Sequence, residues 1–287
     1  REYELTDTGV FDENRYFDVF VEYAKDGPED ILVQITAANR GPEEAQLHLL
    51  PTLWCRNDWA SWIASPAEKP VIRRGPGPEG ARTILVEHPS LGRFHLYCEG
   101  APELLFTDNE TNYERVFGVP NRTKYVKDGI NDHVVHGRRA AVNPDCVGTK
   151  VAAWHRLSIR PGESAVARLR LSNIPPEGVD RRAGGFAPFG HGFDAAFSAR
   201  KEEADEFYRS ITPSALSTEE AAVMRQAVAG MLWSKQYYYL DVDQWIKEHD
   251  GHAPNNAVPQ FRNREWSHMI NEDIISMPDK WEYPWYA

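Results

Sequence analysis

The feature that most constrains the fold is a series of short segments in which apolar and polar residues alternate. In residues 16–23, one side carries Phe17, Val19, Val21 and Tyr23, and the turn Lys25-Asp-Gly-Pro28 follows. A period of two is typical of a β-strand, because successive side chains point to opposite faces. This segment therefore predicts a strand that ends in a tight turn.

The same alternation recurs through most of the first 174 residues. It predicts further strands on the apolar positions Ile31, Val33, Ile35 and Ala37, on Ala45, Leu47 and Leu49, on Phe94, Leu96 and Cys98, and in residues 83–87, 153–159 and 165–171. Short turns between consecutive strands favour antiparallel pairing. So many half-apolar strands need a second sheet to cover their apolar faces. We therefore predict a mainly β, antiparallel sandwich in residues 1–174.

A change in composition predicts the end of this sandwich. Glycine and proline are concentrated in Ile174-Pro-Pro-Glu-Gly178 and in residues 183–192. Both residue types disfavour regular secondary structure, so residues 175–192 are predicted to form a linker.

Helical patterns follow in residues 193–287. Asp194 is predicted to be an N-cap, and Ser217-Thr-Glu-Glu220 matches the capping-box pattern. Behind it, one stripe extends to about Tyr239 and is predicted to be core packing rather than a cofactor site; it comprises Ala221, Met224, Val228, Met231, Leu232 and Lys235.

Charge and hydropathy restrict the partners. The formal net charge is -11 at pH 7, which argues against nucleic acid or an anionic membrane as a partner. No apolar run approaches the length of a membrane span, and the opening Arg1-Glu-Tyr-Glu4 lacks a signal-peptide pattern. We therefore predict a cytoplasmic protein.

Neither a metal nor a cofactor is predicted. The cysteines Cys55, Cys98 and Cys146 are widely spaced and form no CxxC pair. His133 and His136 flank a strand-like Val134-Val135, and they are interpreted as surface or interstrand side chains. Residues 247–252 contain metal-capable side chains without a recognisable ligand spacing, so a solvated loop is predicted there.

The most suggestive binding residues lie at the end of the sequence. Trp281, Tyr283 and Trp285 are interleaved with Lys280 and Glu282. Aromatic faces pack on the C–H faces of sugars, while carboxylates and cations hold hydroxyl groups. The segment predicts sugar binding; the alternative is a buried aromatic cluster that braces helices.

Several segments together resemble the large bacterial members of glycoside hydrolase family 63, relatives of mannosyl-oligosaccharide glucosidase. They are Leu104-Leu-Phe-Thr-Asp-Asn-Glu-Thr-Asn112, Lys127-Asp-Gly-Ile-Asn131, residues 223–236, Asn263-Arg-Glu-Trp266 and residues 274–287. The resemblance implies a sandwich packed on an (α/α)6 barrel, with residues 193–287 forming a helical linker and the start of that barrel. It also implies that Lys280, Trp281, Glu282, Tyr283 and Trp285 line the innermost sugar subsite.

The family chemistry is inverting hydrolysis by two carboxyl groups about 6.5–9.5 Å apart. In the family, the general-acid Asp follows the motif that ends at Ala287, and the general-base Glu lies far downstream. The sequence therefore predicts the N-terminal part of an inverting α-glucosidase-like enzyme, truncated before both catalytic carboxylates and inactive alone. Its expected partners are an α-linked oligosaccharide and the remainder of the catalytic barrel.

Two alternatives stay open. The sandwich could be a stand-alone carbohydrate-binding or interaction module, in which the helices only cap the sheets. Within enzymes, a trehalase-like or glycan-debranching relative would share the aromatic style of subsite. The residues specify neither the natural substrate and linkage nor the oligomeric state.

Overall fold

The computed structural model describes residues 3–59, 68–176, 187–249 and 264–276. By its internal contacts the chain divides into two units, residues 1–201 and residues 202–287. The first unit is mainly β and its strands pair antiparallel, which confirms the predicted fold class for this part of the chain.

The first unit contains eleven strands in its described residues. They are β1 (Phe17–Gly27), β2 (Asp30–Asn39), β3 (Ala45–Leu49), β4 (Thr52–Trp54), β5 (Val71–Gly75), β6 (Ala81–His88), β7 (Gly92–Glu99), β8 (Glu103–Thr107), β9 (Val147–Gly148), β10 (Lys150–Ile159) and β11 (Ser164–Ser172). One sheet has seven strands in the order β1-β2-β11-β7-β6-β5-β9. The other has the order β3-β10-β4, and β8 also pairs with β10.

The main core lies between these two sheets. Ile72, Ile84 and Cys98 from the larger sheet pack in one cluster with Phe106 and Val151 from the smaller sheet. All five side chains are essentially inaccessible to solvent. The alternation along the strands thus supplies one apolar face from each sheet, and burial of these faces holds the sandwich together.

A helix covers the outer face of the larger sheet. The helix α3 (His191–Ile211) is the third in chain order, after α1 (Tyr113–Phe117) and α2 (Gly129–His136). Phe193 and Ala196 of α3 pack on Leu32 of β2 and Ala24 of β1. Strand β2 is therefore buried on both faces, and the sequence analysis recognised only one of them.

The start of α3 differs from the prediction. The helix begins at His191, so Asp194 lies in its first turn and is not the N-cap. At that position, the Asp194 carboxylate forms an ion pair with Arg168, whose Nη2 lies 3.3 Å from Asp194 Oδ1. The linker predicted at 175–192 stays a prediction, because residues 177–186 lie outside the described part of the chain.

Strand β1 forms as predicted, but most of its apolar residues stay accessible. Val19 and Val21 are 46% and 48% exposed. The strand is the outermost member of the seven-stranded sheet. Alternation therefore identified the strand, while its position at the sheet edge determined how little of it is buried.

The segment between β8 and β9 contains α1 and α2. The prediction of a strand-like Val134-Val135 was wrong, because both residues lie in α2. Ile130 on the same helix packs against Leu105 and Trp154 of the smaller sheet. His133 of α2 contacts the same Trp154: the two rings lie edge-on, with their centroids 5.7 Å apart.

Besides the end of α3, the second unit contains two further α-helices and a strand pair within its described residues. They are α4 (Thr218–Trp233), α5 (Val242–His249), β12 (Lys235–Asp241) and β13 (Ile270–Ser276), and the two strands pair antiparallel. The predicted capping box is confirmed: Glu220 N donates to Ser217 Oγ, and Ser217 N donates to the Glu220 carboxylate.

Three expectations for the second unit were wrong. The helix that was expected to reach Tyr239 ends at Trp233, because residues 235–241 pair with β13 instead. Residues 247–249 belong to α5 rather than to a loop. No residue of the stripe on α4 is fully buried, and Met231 and Leu232 are 49% and 46% exposed, so the stripe is not core packing in the described structure. The start of an (α/α)6 barrel stays a prediction.

Candidate functional site

The predicted sugar-binding residues lie outside the described part of the chain. Lys280, Trp281, Glu282, Tyr283 and Trp285 all follow β13, the last described element. The structure therefore does not test their role, which stays a prediction. Within the first unit, the loop after β8 forms a hydrogen-bonded polar site.

This loop joins two segments that the sequence analysis singled out, residues 104–112 and 127–131. The amide of Asp108 donates to the carbonyl oxygen of Tyr125 at 2.8 Å, and the amide of Lys127 donates to the carbonyl oxygen of Glu110 at 3.0 Å. Asn112 Nδ2 donates to Asp128 Oδ2 at 3.1 Å. The two segments form one hydrogen-bonded unit, which we call the 108–132 polar loop.

Glu110 is the most deeply buried carboxylate of this loop, with 5% of the residue exposed. Trp59 Nε1 donates to its Oε1 at 2.7 Å. Its other oxygen, Oε2, is buried and has no hydrogen-bond partner among the described residues. A buried acceptor without a partner costs free energy, so this oxygen is a candidate for an interaction with a bound water or ligand hydroxyl.

The start of the loop is fixed to residues 55–59. Asn57 Nδ2 donates to the carbonyl oxygen of Asn109, and Asn109 Nδ2 donates to the carbonyl oxygen of Cys55 at 2.9 Å. The amide of Asn109 donates to Thr149 Oγ1 at 2.7 Å. These bonds hold the loop rigidly against the edge of the smaller sheet.

Asp108 supplies the second carboxylate at the start of the loop. Lys69 Nζ lies 3.0 Å from its Oδ2, and Thr149 Oγ1 donates to its Oδ1 at 3.3 Å. The Lys69 ammonium also lies 6.0 Å from the centre of the Trp59 ring. A carboxylate, a cation and an indole thus lie side by side. Groups of these types bind polyhydroxylated ligands in proteins.

The far end of the loop is held by Arg115. Its Nη1 donates to Asp128 Oδ2 at 2.6 Å, and its Nη2 donates to Asp132 Oδ2 at 3.0 Å. Arg138 Nη1 reaches the same Asp132 oxygen at 3.2 Å. The hydrogen bond from Arg115 is the main reason why the pKa of Asp132 lies below its usual value. Both carboxylates are thereby engaged in ion pairs that hold this end of the loop.

Gly129 is required where this loop enters α2. A Cβ atom at this position would lie 2.2 Å from the carbonyl oxygen of Ala141. Any side chain would therefore push the start of α2 away from the 139–141 turn.

A second, apolar pocket opens at the rim of the sandwich, with a volume of about 400 Å³. Trp54 is 56% exposed there, and Phe94 and Leu171 form part of the wall. Arg56 and His88 add polar groups. An exposed indole beside polar side chains is one arrangement on which a sugar ring stacks.

The thiols and the metal-binding residue types suggest no reactive centre in the described residues. Cys55 and Cys98 are buried and free, and burial raises the pKa of the Cys98 thiol to about 12. Such a thiol carries no thiolate at neutral pH and is not a nucleophile. No cluster of three His, Cys, Asp or Glu side chains suited to a metal ion occurs within the described ranges.

No family model matches this chain. Its sequence is similar to the uncharacterized protein YMR196W of Saccharomyces cerevisiae, with 35% identity over 318 aligned residues. The match covers 99% of this chain, and the chain spans about 28% of the length of that relative.

Among solved structures, the chain has a distant similarity to a protein described as a kojibiose phosphorylase from human microbiome. The sequence identity is 10%, the TM-score is 0.28, and the match covers 79% of this chain and 23% of that one. Similarity at this level supports no statement about fold or activity.

None of the helices within the described ranges combines the length and the apolar character that a membrane crossing requires.

Several residues of the polar loop were not predicted from the sequence. Asp108, Glu110 and Asn112 belong to the segment 104–112 that resembles glycoside hydrolase family 63, and no individual role was predicted for them. Trp59 was not considered, since it precedes Glu110 by 51 residues. The sequence offered one signal for this unit: Lys127-Asp-Gly-Ile-Asn131 and residues 104–112 are both among the segments that resemble glycoside hydrolase family 63.

Proposed function

We propose that this chain is the N-terminal part of an inverting α-glucosidase-like glycoside hydrolase that acts on α-linked oligosaccharides. The supporting observation is the 108–132 polar loop. Two segments that resemble glycoside hydrolase family 63 are joined there by direct hydrogen bonds, around the buried Glu110. Two segments that resemble the same family and also pack against each other support that resemblance more strongly than two segments that lie apart.

In this proposal the sandwich is a scaffold, and Trp281, Tyr283 and Trp285 form the wall of the innermost sugar subsite. Stacking on these rings orients a glucosyl ring, while Glu282 and Lys280 hold its hydroxyl groups. Both catalytic carboxyl groups belong to the part of the protein that follows residue 287. The 287-residue chain by itself therefore binds without hydrolysing.

The test is hydrolysis of a panel of α-linked disaccharides by the full-length protein, with the anomer of the released glucose followed by NMR. Inversion predicts β-glucose as the first product. Release of α-glucose, or no hydrolysis of any α-linked disaccharide, would contradict the proposal. So would hydrolysis by the 287-residue chain.

The subsite assignment is tested separately with Trp281→Ala and Trp285→Ala in the full-length protein. We expect a higher KM or a lower kcat at an unchanged unfolding temperature. Trp233→Ala is the matched control, since Trp233 is exposed on α4 and is not assigned to the subsite. A lower unfolding temperature without a specific kinetic defect would mean that Trp281 and Trp285 brace helices instead.

A second candidate is a carbohydrate-binding module, and the exposed Trp54 beside the 400 Å³ pocket favours it. It predicts that maltotriose binds the 287-residue chain and that Trp54→Ala abolishes the binding. A shorter fragment should extend to residue 201, because Phe193 of α3 is buried on the larger sheet. Maltotriose binding unaffected by Trp54→Ala would exclude the pocket.

A further inference from the structure

A polar groove lies on the first unit, and none of its lining residues belongs to the 108–132 polar loop. It consists of two adjoining clefts of about 620 and 510 Å³. Arg74 of β5, Arg82 of β6 and the Gly100–Ala101 backbone line both of them, and Arg156 of β10 lines the larger one. We call it the arginine groove, after Arg74, Arg82 and Arg156.

Each cleft of the arginine groove, taken alone, has one more arginine than carboxylates, whereas the whole chain is acidic. The chain has 43 acidic and 32 basic residues. The larger cleft is lined by three arginines and by only two carboxylates, Glu99 and Glu103. The smaller cleft is lined by Arg74, Arg82 and one carboxylate, Glu79, so the whole groove has three arginines and three carboxylates. Its attraction for an anion therefore comes from Arg74 and Arg82, which line both clefts.

Only one of the three guanidinium groups is neutralised within the described residues. Arg156 Nη2 donates to Glu103 Oε2 at 3.0 Å, and its guanidinium lies 4.5 Å from the centre of the Trp154 ring. Arg74 and Arg82 form no ion pair in the described part of the chain. In contrast, Arg73 and Arg93 on the same sheet both pair with Glu87. Arg74 and Arg82 therefore lack the counter-charge that their neighbours Arg73 and Arg93 have.

His155 adds a neutral polar group to the larger cleft. Its Nε2 atom is buried and has no hydrogen-bond partner among the described residues. Burial lowers the pKa of His155, so the imidazole is uncharged at neutral pH. The positive charge of the groove comes from arginine, and His155 contributes a hydrogen-bonding atom.

We propose that the arginine groove binds a sugar that carries a phosphate monoester, with the phosphate between Arg74 and Arg82. The planar guanidinium group matches phosphate oxygens in bidentate geometry, and a dianion balances two uncompensated cations. The clefts are larger than a phosphate needs, and the carboxylate of Glu99 can accept hydrogen bonds from sugar hydroxyls. This site does not depend on the proposed hydrolase activity.

The test is isothermal titration calorimetry of the 287-residue chain with glucose 6-phosphate, inorganic phosphate and glucose. We expect glucose 6-phosphate to bind saturably with a Kd on the order of 1 mM or below. The double variant Arg74→Gln/Arg82→Gln should weaken this binding at least tenfold. The matched control is Arg73→Gln, which removes the neighbouring arginine of β5 and should leave binding unchanged.

Four results would overturn the proposal. They are no saturable binding of glucose 6-phosphate up to about 20 mM, far above the expected Kd; equally tight binding of glucose; undiminished binding by the double variant; and an equal loss in Arg73→Gln. If inorganic phosphate binds as tightly as glucose 6-phosphate, the sugar part of the proposal is wrong.

A measurement on the unaltered chain guards against a double variant that does not fold. Glucose 6-phosphate should raise the thermal unfolding temperature of the unaltered protein, and glucose at the same concentration should not. Equal shifts with both compounds, or no shift with either, would contradict a phosphate site in the arginine groove.

Discussion

The two units of this chain differ in how deeply their apolar side chains are buried. In residues 1–201, Phe106, Ile72 and Ile84 are fully enclosed between two sheets. In the described part of residues 202–287 no residue is buried, and Trp233 is 83% exposed. Both regions have the periodic apolar pattern that predicts regular elements.

The difference shows that the apolar periodicity of a segment predicts a strand or a helix. Whether its apolar face is buried depends on which other element packs against that face. The buried apolar side chains of the sandwich face the opposite sheet, α2 or α3, whereas most apolar residues of the edge strand β1 stay accessible. The stripe on α4 has no comparable cover among the described residues. We therefore expect the free energy of folding to come chiefly from the first unit, and the following predictions test this asymmetry from the largest effect to the smallest.

The largest contrast is between two aromatic truncations. Phe106→Ala should lower the free energy of unfolding by about 3–5 kcal/mol, because it leaves a cavity between the sheets. Trp233→Ala should change it by less than about 0.5 kcal/mol, since an exposed side chain loses little on removal. Urea denaturation of both variants measures this. A large effect of Trp233→Ala would mean that α4 is covered in the native protein.

Ion pairs provide the second contrast. Arg170 is buried on the larger sheet, and its guanidinium contacts Asp30 at 2.5 Å and Asp26 at 2.7 Å. Arg170→Met should cost about 3 kcal/mol, because Asp30 is left buried without its cation. Arg225 pairs with Asp205 at a half-exposed site, and Arg225→Met should cost about 0–1 kcal/mol.

The control for the Arg170 result is a second change at Asp30. Adding Asp30→Asn to Arg170→Met should recover part of the lost stability, because no buried charge remains. If the double variant is no more stable than Arg170→Met, the loss comes from packing rather than from the unpaired carboxylate.

Two glycines should respond with opposite signs. Gly129→Ala should cost about 1–3 kcal/mol, because its Cβ would collide with the Ala141 carbonyl oxygen. Gly230 lies inside α4, and a Cβ there meets no atom within 4 Å. Gly230→Ala should stabilise α4 by about 0.5–1 kcal/mol. Denaturation midpoints report the first change, and slower amide exchange in α4 reports the second.

The smallest effects are pH-dependent. The pKa of Asp132 is lowered, mainly by Arg115, and the pKa of Glu220 is lowered, mainly by the Ser217 amide. Each carboxylate therefore contributes stability above its usual pKa of 3.8 or 4.5, and this stability is lost as the pH falls through the lower folded-state pKa.

Asp132→Asn and Glu220→Gln should thus be less stable than the unaltered protein at pH 7, and both gaps should narrow below about pH 4. Denaturation at a series of pH values follows this. A gap that stays constant down to pH 2 would show that the ionised carboxylate is not the source of the stability.

The strands of the sandwich could be predicted because their signal is local. The alternation in residues 16–23, the Lys25-Asp-Gly-Pro28 turn and the Ser217 capping box all depend on residues within a few positions of one another. The helical signal failed for residues 235–239, because pairing with residues more than 30 positions away overrides local propensity there.

Much of the polar loop could not be predicted for the same physical reason. Asp108 and Glu110 look like ordinary loop residues in the sequence, and only the folded chain brings Trp59 and Lys69 to them. The arginine groove likewise brings Arg156 of β10 to Arg74 and Arg82, which lie on the consecutive strands β5 and β6 much earlier in the sequence.

The sequence by itself determined the antiparallel strands, the capping box and the acidic character of this protein, because these follow from neighbouring residues and from composition. Only the tertiary structure decided which strand lies at the edge, why Gly129 must lack a side chain, and where two unpaired arginines converge. Those properties depend on contacts between distant segments, and a pattern along the chain does not encode them directly.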